Sequence, residues 1–160
     1  MKFDAQSDTI TTASLQFSPT TNGIIGTTTN DNASSGYVGE FISSVISSGS
    51  AVTFPHTTIT DLTSISLTAG DWDVWGNIQY LSLGTTPSQI FAWINNTSAS
   101  VPDNSLFISN GISTETSAGL IPPTQRFSLS STTTIYLTGE IANASGNGSA
   151  CGGIYARRVR

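Results

Sequence analysis

The chain has 160 residues, enough for one domain with a core of its own. Only 9% of its residues are charged, against roughly 25% in an average soluble domain, while 25 Ser, 24 Thr, 15 Gly and ten Asn crowd the sequence. Ten acids stand against five bases, and between residues 3 and 156 the only base is Arg126, so the body of the domain repels phosphate and nucleic acid is not an expected partner.

Thr favours strands, and Ser, Gly and Asn favour turns, so this composition predicts an all-β protein. In chain order, residues 1–35 come first. They are polar and broken by Pro19, Gly23 and Gly26, with apolar residues that come singly: Phe3, Ile10, Leu15 and Phe17. So thinly apolar a segment cannot offset its own ordering entropy, which predicts an extended N-terminal arm ordered only against another surface. It carries no apolar run of the kind a secretory leader needs, and no stretch of the chain reaches the ~18 apolar residues of a membrane span. No membrane partner is expected.

From Tyr37 the pattern becomes strand-like. YVGEFISSVIS, AVTF, ITDLTSISL, WDVWGNIQYLSL, QIFAWIN, SLFIS, RFSLS, TTIYLTGEIA and GGIYARRV follow one another, separated by turn formers. Short strands at this spacing point to a sandwich or barrel rather than to βαβ units. Residues 110–123 are Gly- and Pro-rich and read as a loop, and SGNGSACGG reads as a hairpin loop. The predicted organisation is an arm over 1–35 and a β-sandwich over 36–160.

The stretch LTAGDWDVWG sets two Trp and two Asp within five positions. Alternate strand residues share a face. One face therefore reads Trp72, Val74, Gly76, Ile78, Tyr80, a core stripe; the other reads Asp71, Asp73, Trp75, Asn77, Gln79. The two aspartates are expected on a solvated outer face, since no further oxygen ligands converge on them for a metal. Trp75 is a large aromatic on a polar face, the mark of a contact with another chain. In QIFAWIN both faces are apolar, with Phe91 and Trp93 opposite Ile90, Ala92 and Ile94, which implies either a subunit interface or a covering loop. Tyr136 also faces outward. Trp75, Phe91, Trp93 and Tyr136 are thus the expected oligomer interface.

Catalytic machinery is hard to find. His56 is the single histidine, in the turn FPHTT, and no GxSxG elbow accompanies it. With one His and one Cys a zinc site lacks ligands. There is no phosphate-binding glycine loop and no dinucleotide fingerprint. Nothing singles out Asp71 with Asp73, or Glu40 with Glu140, as a glycoside-cleaving pair. The expectation is a non-enzyme with no catalytic residue, no metal and no cofactor. Cys151, among small residues, is expected as a buried apolar side chain. The tail Arg157-Arg158-Val159-Arg160 reads equally as a solvated end or as a surface for an acidic partner.

SISLTAGDWDVWGNIQY, SLSSTTTIYLTGEI and GGIYARRVR, together with IGTTTNDNASSGYVGEFISS, resemble small virion structural proteins of tailed bacteriophages and prophages, over most of residues 24–160. The order of a small-residue turn, an aromatic strand and a late aromatic terminal strand is similar to the jelly roll of tumour necrosis factor and complement globular heads, a fold that assembles as trimers. The resemblance implies a homotrimeric virion protein, made in the host bacterial cytoplasm, with other virion proteins such as the major capsid protein as partners. Its role would be capsid decoration or cementing, held through Phe3, Ile10, Leu15 and Phe17 of the arm. A trimeric receptor-binding tip of a tail or head fibre, with a host surface glycan as partner, is the alternative; a glycan hydrolase comes third, for want of a catalytic group.

Overall fold

A computed structural model describes residues 28–83, 89–102, 106–111, 116–142 and 146–160. The chain divides into two units, Met1–Asp31 and Asn32–Arg160, and every strand among the described residues lies in the second. Asn32 belongs to that unit through its side chain, which accepts from the Phe41 N–H and donates to the Phe41 carbonyl, 2.8 Å in each case, as a neighbouring strand would.

The described residues form ten strands: β1 (Phe41–Ile46), β2 (Val52–Pro55), β3 (Thr60–Leu67), β4 (Gly70–Ser82), β5 (Gln89–Asn95), β6 (Phe107–Gly111), β7 (Ala118–Leu120), β8 (Gln125–Leu129), β9 (Thr133–Ala142) and β10 (Asn147–Arg158). Among the described residues the only helical element is one 3-10 turn, Ser48–Ser50. The strands form two antiparallel sheets. In the first, the order is β1-β10-β4-β7, with β2 also on β10 and β8 also on β4. In the second it is β3-β9-β5-β6. The pairs are nested: β5 with β6, β4 with β7 and β8, β3 with β9, β1 and β2 with β10. This is one long hairpin. Rolling it up lays β9 beside β5 and β10 beside β4. The result is the jelly-roll sandwich that the sequence suggests.

The core lies between the sheets and follows the period-two alternation. Trp72, Val74, Ile78 and Tyr80 of β4 are buried against Ile90, Ala92 and Ile94 of β5 and Ile135, Leu137 and Ile141 of β9. Full burial of each large side chain stabilises the fold by about 2–3 kcal/mol. Two inward glycines permit the close approach. A Cβ at Gly76 would fall 2.8 Å from the Gly153 carbonyl and 3.3 Å from Leu137. One at Gly139 would meet the Tyr80 hydroxyl, which crosses between the sheets and donates to the Phe91 carbonyl at 2.7 Å. Burial pushes the Tyr80 phenol pKa far up.

Two loop expectations are corrected. The span 110–123 contains β7, which pairs Ala118–Leu120 with Ile78–Tyr80; three residues with a glycine in the middle give too short a pattern to read. SGNGSACGG is not a hairpin loop, since β10 begins at Asn147 and pairs with both β2 and β4, with a register shift between Ser149 and Ala150. Cys151, expected buried, is half-buried: in this register it lies opposite Gln79, away from the core.

Candidate functional site

Three regions hold the side chains that the core does not use: the outer face of each sheet, and a charged cluster where β4 and the end of β10 meet residues 36–40.

The charged cluster corrects two expectations. Arg158 is buried. The inward alternation Ile154, Ala156, Arg158 carries it under the sheet. Its guanidinium donates to Glu40 Oε2 at 2.9 Å, to the Ala69 carbonyl at 2.9 Å and to Thr68 Oγ1 at 2.5 Å. It also lies 4.3 Å over the Trp72 ring. Glu40 is buried too, and accepts from the Gly36 N–H at 2.8 Å. Burial works to raise the Glu40 pKa, but the Gly36 N–H, the Arg158 guanidinium and the Ser35 hydroxyl outweigh it and hold the carboxyl below its ordinary value. The backbone joins in: Gly39 N donates to the Arg158 carbonyl and Arg158 N to the Glu40 carbonyl, both at 2.9 Å. The basic tail is thus neither a solvated end nor free for an acidic partner along its whole length.

Asp71 was expected on a solvated face, and it is buried instead. Arg126 grips it with two nitrogens, Nε at 2.7 Å from Oδ1, and Arg160 Nε adds a contact at 2.9 Å. The Arg126 hydrogen bonds hold the Asp71 pKa below its ordinary value against the opposing effect of burial. Two exposed guanidinium groups therefore cover one buried carboxylate. Among the described residues no three His, Cys, Asp or Glu side chains gather as a metal site would require. Glu40 and Asp71 are both neutralised by arginine, an arrangement for structure rather than for proton transfer.

The outer face of the second sheet carries Phe91, Trp93 and Tyr136, but not as open surface. Trp93 is 2% exposed. Its indole N–H donates to the Ser100 carbonyl at 2.8 Å, and Asn95 holds the same residue through its side-chain nitrogen at 2.6 Å from Ser100 Oγ. Asp61 fixes the loop from the other side, accepting from Ser98 Oγ at 2.6 Å and from the Ala99 N–H at 3.0 Å. Thr138 donates to Asp61 at 2.6 Å. Residues 96–100 therefore lie over Trp93, and of the two alternatives for QIFAWIN the covering loop holds there. Trp93 has no face to give a partner, which corrects its place in the expected interface. Phe91 is half-buried beside Phe107 (5.8 Å between ring centres), and Tyr136 is half-buried opposite Asn95.

The outer face of the first sheet carries Trp75 and Tyr155, both half-buried, and Phe41, 40% exposed among the described residues. Trp75 lies nearly parallel to Tyr155, 6.0 Å between centres at 21°, and Phe41 packs against both at 6.1 and 6.2 Å. The three sit on neighbouring strands because Tyr155 is opposite Trp75 in the β10–β4 ladder and Phe41 is opposite Arg157 in the β1–β10 ladder. Beyond them, Val45 is 60% exposed and Ile121 is 71% exposed. The expected interface residues are thus divided: Trp75 faces out from one sheet, and Phe91, Trp93 and Tyr136 from the other. Phe41 and Tyr155 went unnoticed in the sequence, although GGIYARR alternates Ile154 and Ala156 inward with Tyr155 outward. Phe3, Ile10, Leu15 and Phe17 lie outside the described residues.

No known protein family matches the sequence, and no curated protein does. Among solved structures, one of infectious bursal disease virus, Gx strain, is similar at 11% identity over 75% of this chain and 32% of that chain, with a TM-score of 0.47. A structure of the Gt strain is similar at 13% identity over 84% and 37% of the two chains, with a TM-score of 0.43. The VP2 subviral particle of the same virus gives 16% identity over 74% and 30%, with a TM-score of 0.40. The chain spans about a third of the length of each of those chains. At these scores the fold assignment rests on the strand order of the chain itself.

Proposed function

We propose that this chain is a bacteriophage virion structural protein, a capsid decoration or cement protein that assembles as a homotrimer and is held to the particle by residues 1–35. The carrying observation is the asymmetry between the outer faces. The loop 96–100 closes over Trp93 on one sheet, whereas on the β1 side of the other Phe41 is 40% and Val45 60% exposed among the described residues. Uncharged aromatic surface of this kind is what a second copy of the chain buries. The resemblance of LTAGDWDVWG and GGIYARRVR to phage virion proteins supports the same reading. The arm's spaced apolar residues suit a strap, and three copies in one trimer give weak single contacts avidity.

Light scattering of the full chain tests the assembly. A mass of three 16.7 kDa chains is expected, and Val45→Asp, which sets a charge on the uncovered face, is expected to yield monomers without loss of fold. A monomeric parent protein at micromolar concentration overturns the trimer. Deleting residues 2–30 tests the strap: trimer kept and binding to particles lost is expected, and full binding by the shortened protein overturns it. The alternative role, a receptor-binding tip, is favoured by one observation, a groove on the first sheet's outer face.

A further inference from the structure

That outer face has two parts. Toward β1 it is apolar, with Phe41 and Val45 exposed. Toward β7 it is hollowed into a groove of about 480 Å³, within the range of small-molecule pockets. Trp75, Asn77, Gln79, Gly119, Ile121 and Tyr155 line it. Gly119, opposite Gln79 in the β4–β7 ladder, lines the hollow with bare backbone, and the Gln79 Oε1 lies 2.9 Å from where its Cβ would stand; Gly153 is opposite Asn77 in the β10–β4 ladder. The Tyr155 phenol takes up the room over Gly153, its oxygen 2.8 Å from where a Cβ would stand.

The chemistry of the lining restricts the ligand. It contains no Asp, Glu, Lys, Arg or His, so neither an anion nor a cation finds a counter-charge. Asn77 makes no side-chain hydrogen bond among the described residues, and Gln79 uses one amide hydrogen, on the Tyr80 carbonyl at 3.2 Å. A wholly apolar ligand would bury these amides without partners. An extended peptide would need a run of free backbone groups, but β4 is paired with β10 on one side and on the other with β8 at Gly70–Val74 and β7 at Ile78–Tyr80, which leaves between them only Trp75–Asn77, too short a stretch for an added strand. What remains is a neutral molecule with an apolar face on one side and hydroxyls at its rim. A pyranose sugar has that form: axial C–H groups for an aromatic ring, hydroxyls that both donate to and accept from a carboxamide.

We propose that this groove binds a neutral pyranose glycan, with a sugar ring against Trp75 and Tyr155 and its hydroxyls on the Asn77 and Gln79 amides. The inference goes beyond the virion role and does not need it, because self-association is assigned to the β1 side of the face. The test is saturation-transfer NMR on the full chain. The probes are neutral di- and trisaccharides of glucose, galactose, mannose and N-acetylglucosamine, with sialylated trisaccharides as charged controls. Transfer to at least one neutral sugar is expected. Asn77→Ala is expected to weaken it about five- to tenfold, the loss of one hydrogen bond. Gly119→Val, which fills the groove, is expected to abolish it. Both variants should keep the parent's melting temperature and mass in solution. No transfer to any neutral sugar, transfer only to sialylated ones, or binding indifferent to both substitutions overturns the proposal. So does a loss of oligomer mass in either variant, which would make the groove part of the subunit seam. A monomeric parent that binds sugar refutes the trimer alone.

Discussion

Arg158→Ala is the sharpest test of the charged cluster. The substitution leaves the Glu40 carboxylate buried with only the Gly36 N–H and Ser35 as donors. It also removes the bonds to Thr68 and Ala69 and the contact over Trp72. Removing one partner of a buried ion pair costs about 3–5 kcal/mol, because the other charge stays desolvated. Set against the roughly 5–15 kcal/mol that holds a domain together, this is a large share. The melting temperature should fall by about 10 °C for a chain of this size. Urea unfolding followed by Trp fluorescence measures it, with the m-value checking that the transition stays two-state. Glu40→Gln should be costly alone, since it strands the guanidinium, yet nearly neutral in an Arg158→Met background, where no charge is left to strand. A loss below about 1 kcal/mol for Arg158→Ala, the value of an exposed pair, would refute the burial argument. Equal costs for Glu40→Gln in both backgrounds would refute the pairing.

Three further outcomes follow from the geometry. Trp93→Ala should destabilise the subunit by about 3–5 kcal/mol in thermal or urea unfolding and leave self-association at fixed folded concentration unchanged, because the indole is covered by its own loop. Gly139→Ala should destabilise by about 1–3 kcal/mol or more, because the new methyl meets the Tyr80 hydroxyl and lies 2.8 Å from the Phe91 carbonyl, and Tyr80→Phe should relieve part of the loss in the double variant. Glu40 and Asp71 are both held below their ordinary values of 4.5 and 3.8, so their stabilisation is fully present above those values and is lost as pH falls through the lower folded ones. Stability should therefore stay level from neutrality to about pH 4.5 and drop below it, and Asp71→Asn should flatten that acid limb in a pH series of urea melts.

What the sequence by itself determined is what the backbone period determines. A strand's alternation is local, so GDWDVWGNIQY alone placed Trp72, Val74, Ile78 and Tyr80 in the core and Trp75 outside it. The same period, extended along GGIYARR, would have carried Arg158 inward and Tyr155 outward. Nothing local, however, tells which carboxylate waits there. Glu40 lies 118 residues from Arg158, and Asp71 lies 55 from Arg126. These pairs exist because rolling the hairpin brings the last strand beside β4 and the residues before β1. The cover over Trp93 is likewise tertiary. An outward aromatic reads the same in sequence whether its own loop or another chain closes over it, and the loop 96–100 is pinned from β3 by Asp61, itself held by Thr138 of β9. β7 escaped for a related reason. Its three residues become a strand only because β4 is long enough, at 13 residues, to pair with β8 at one end and still offer an edge at the other. Side-chain alternation is written in the chain; which surface is covered is decided by what the fold brings alongside it.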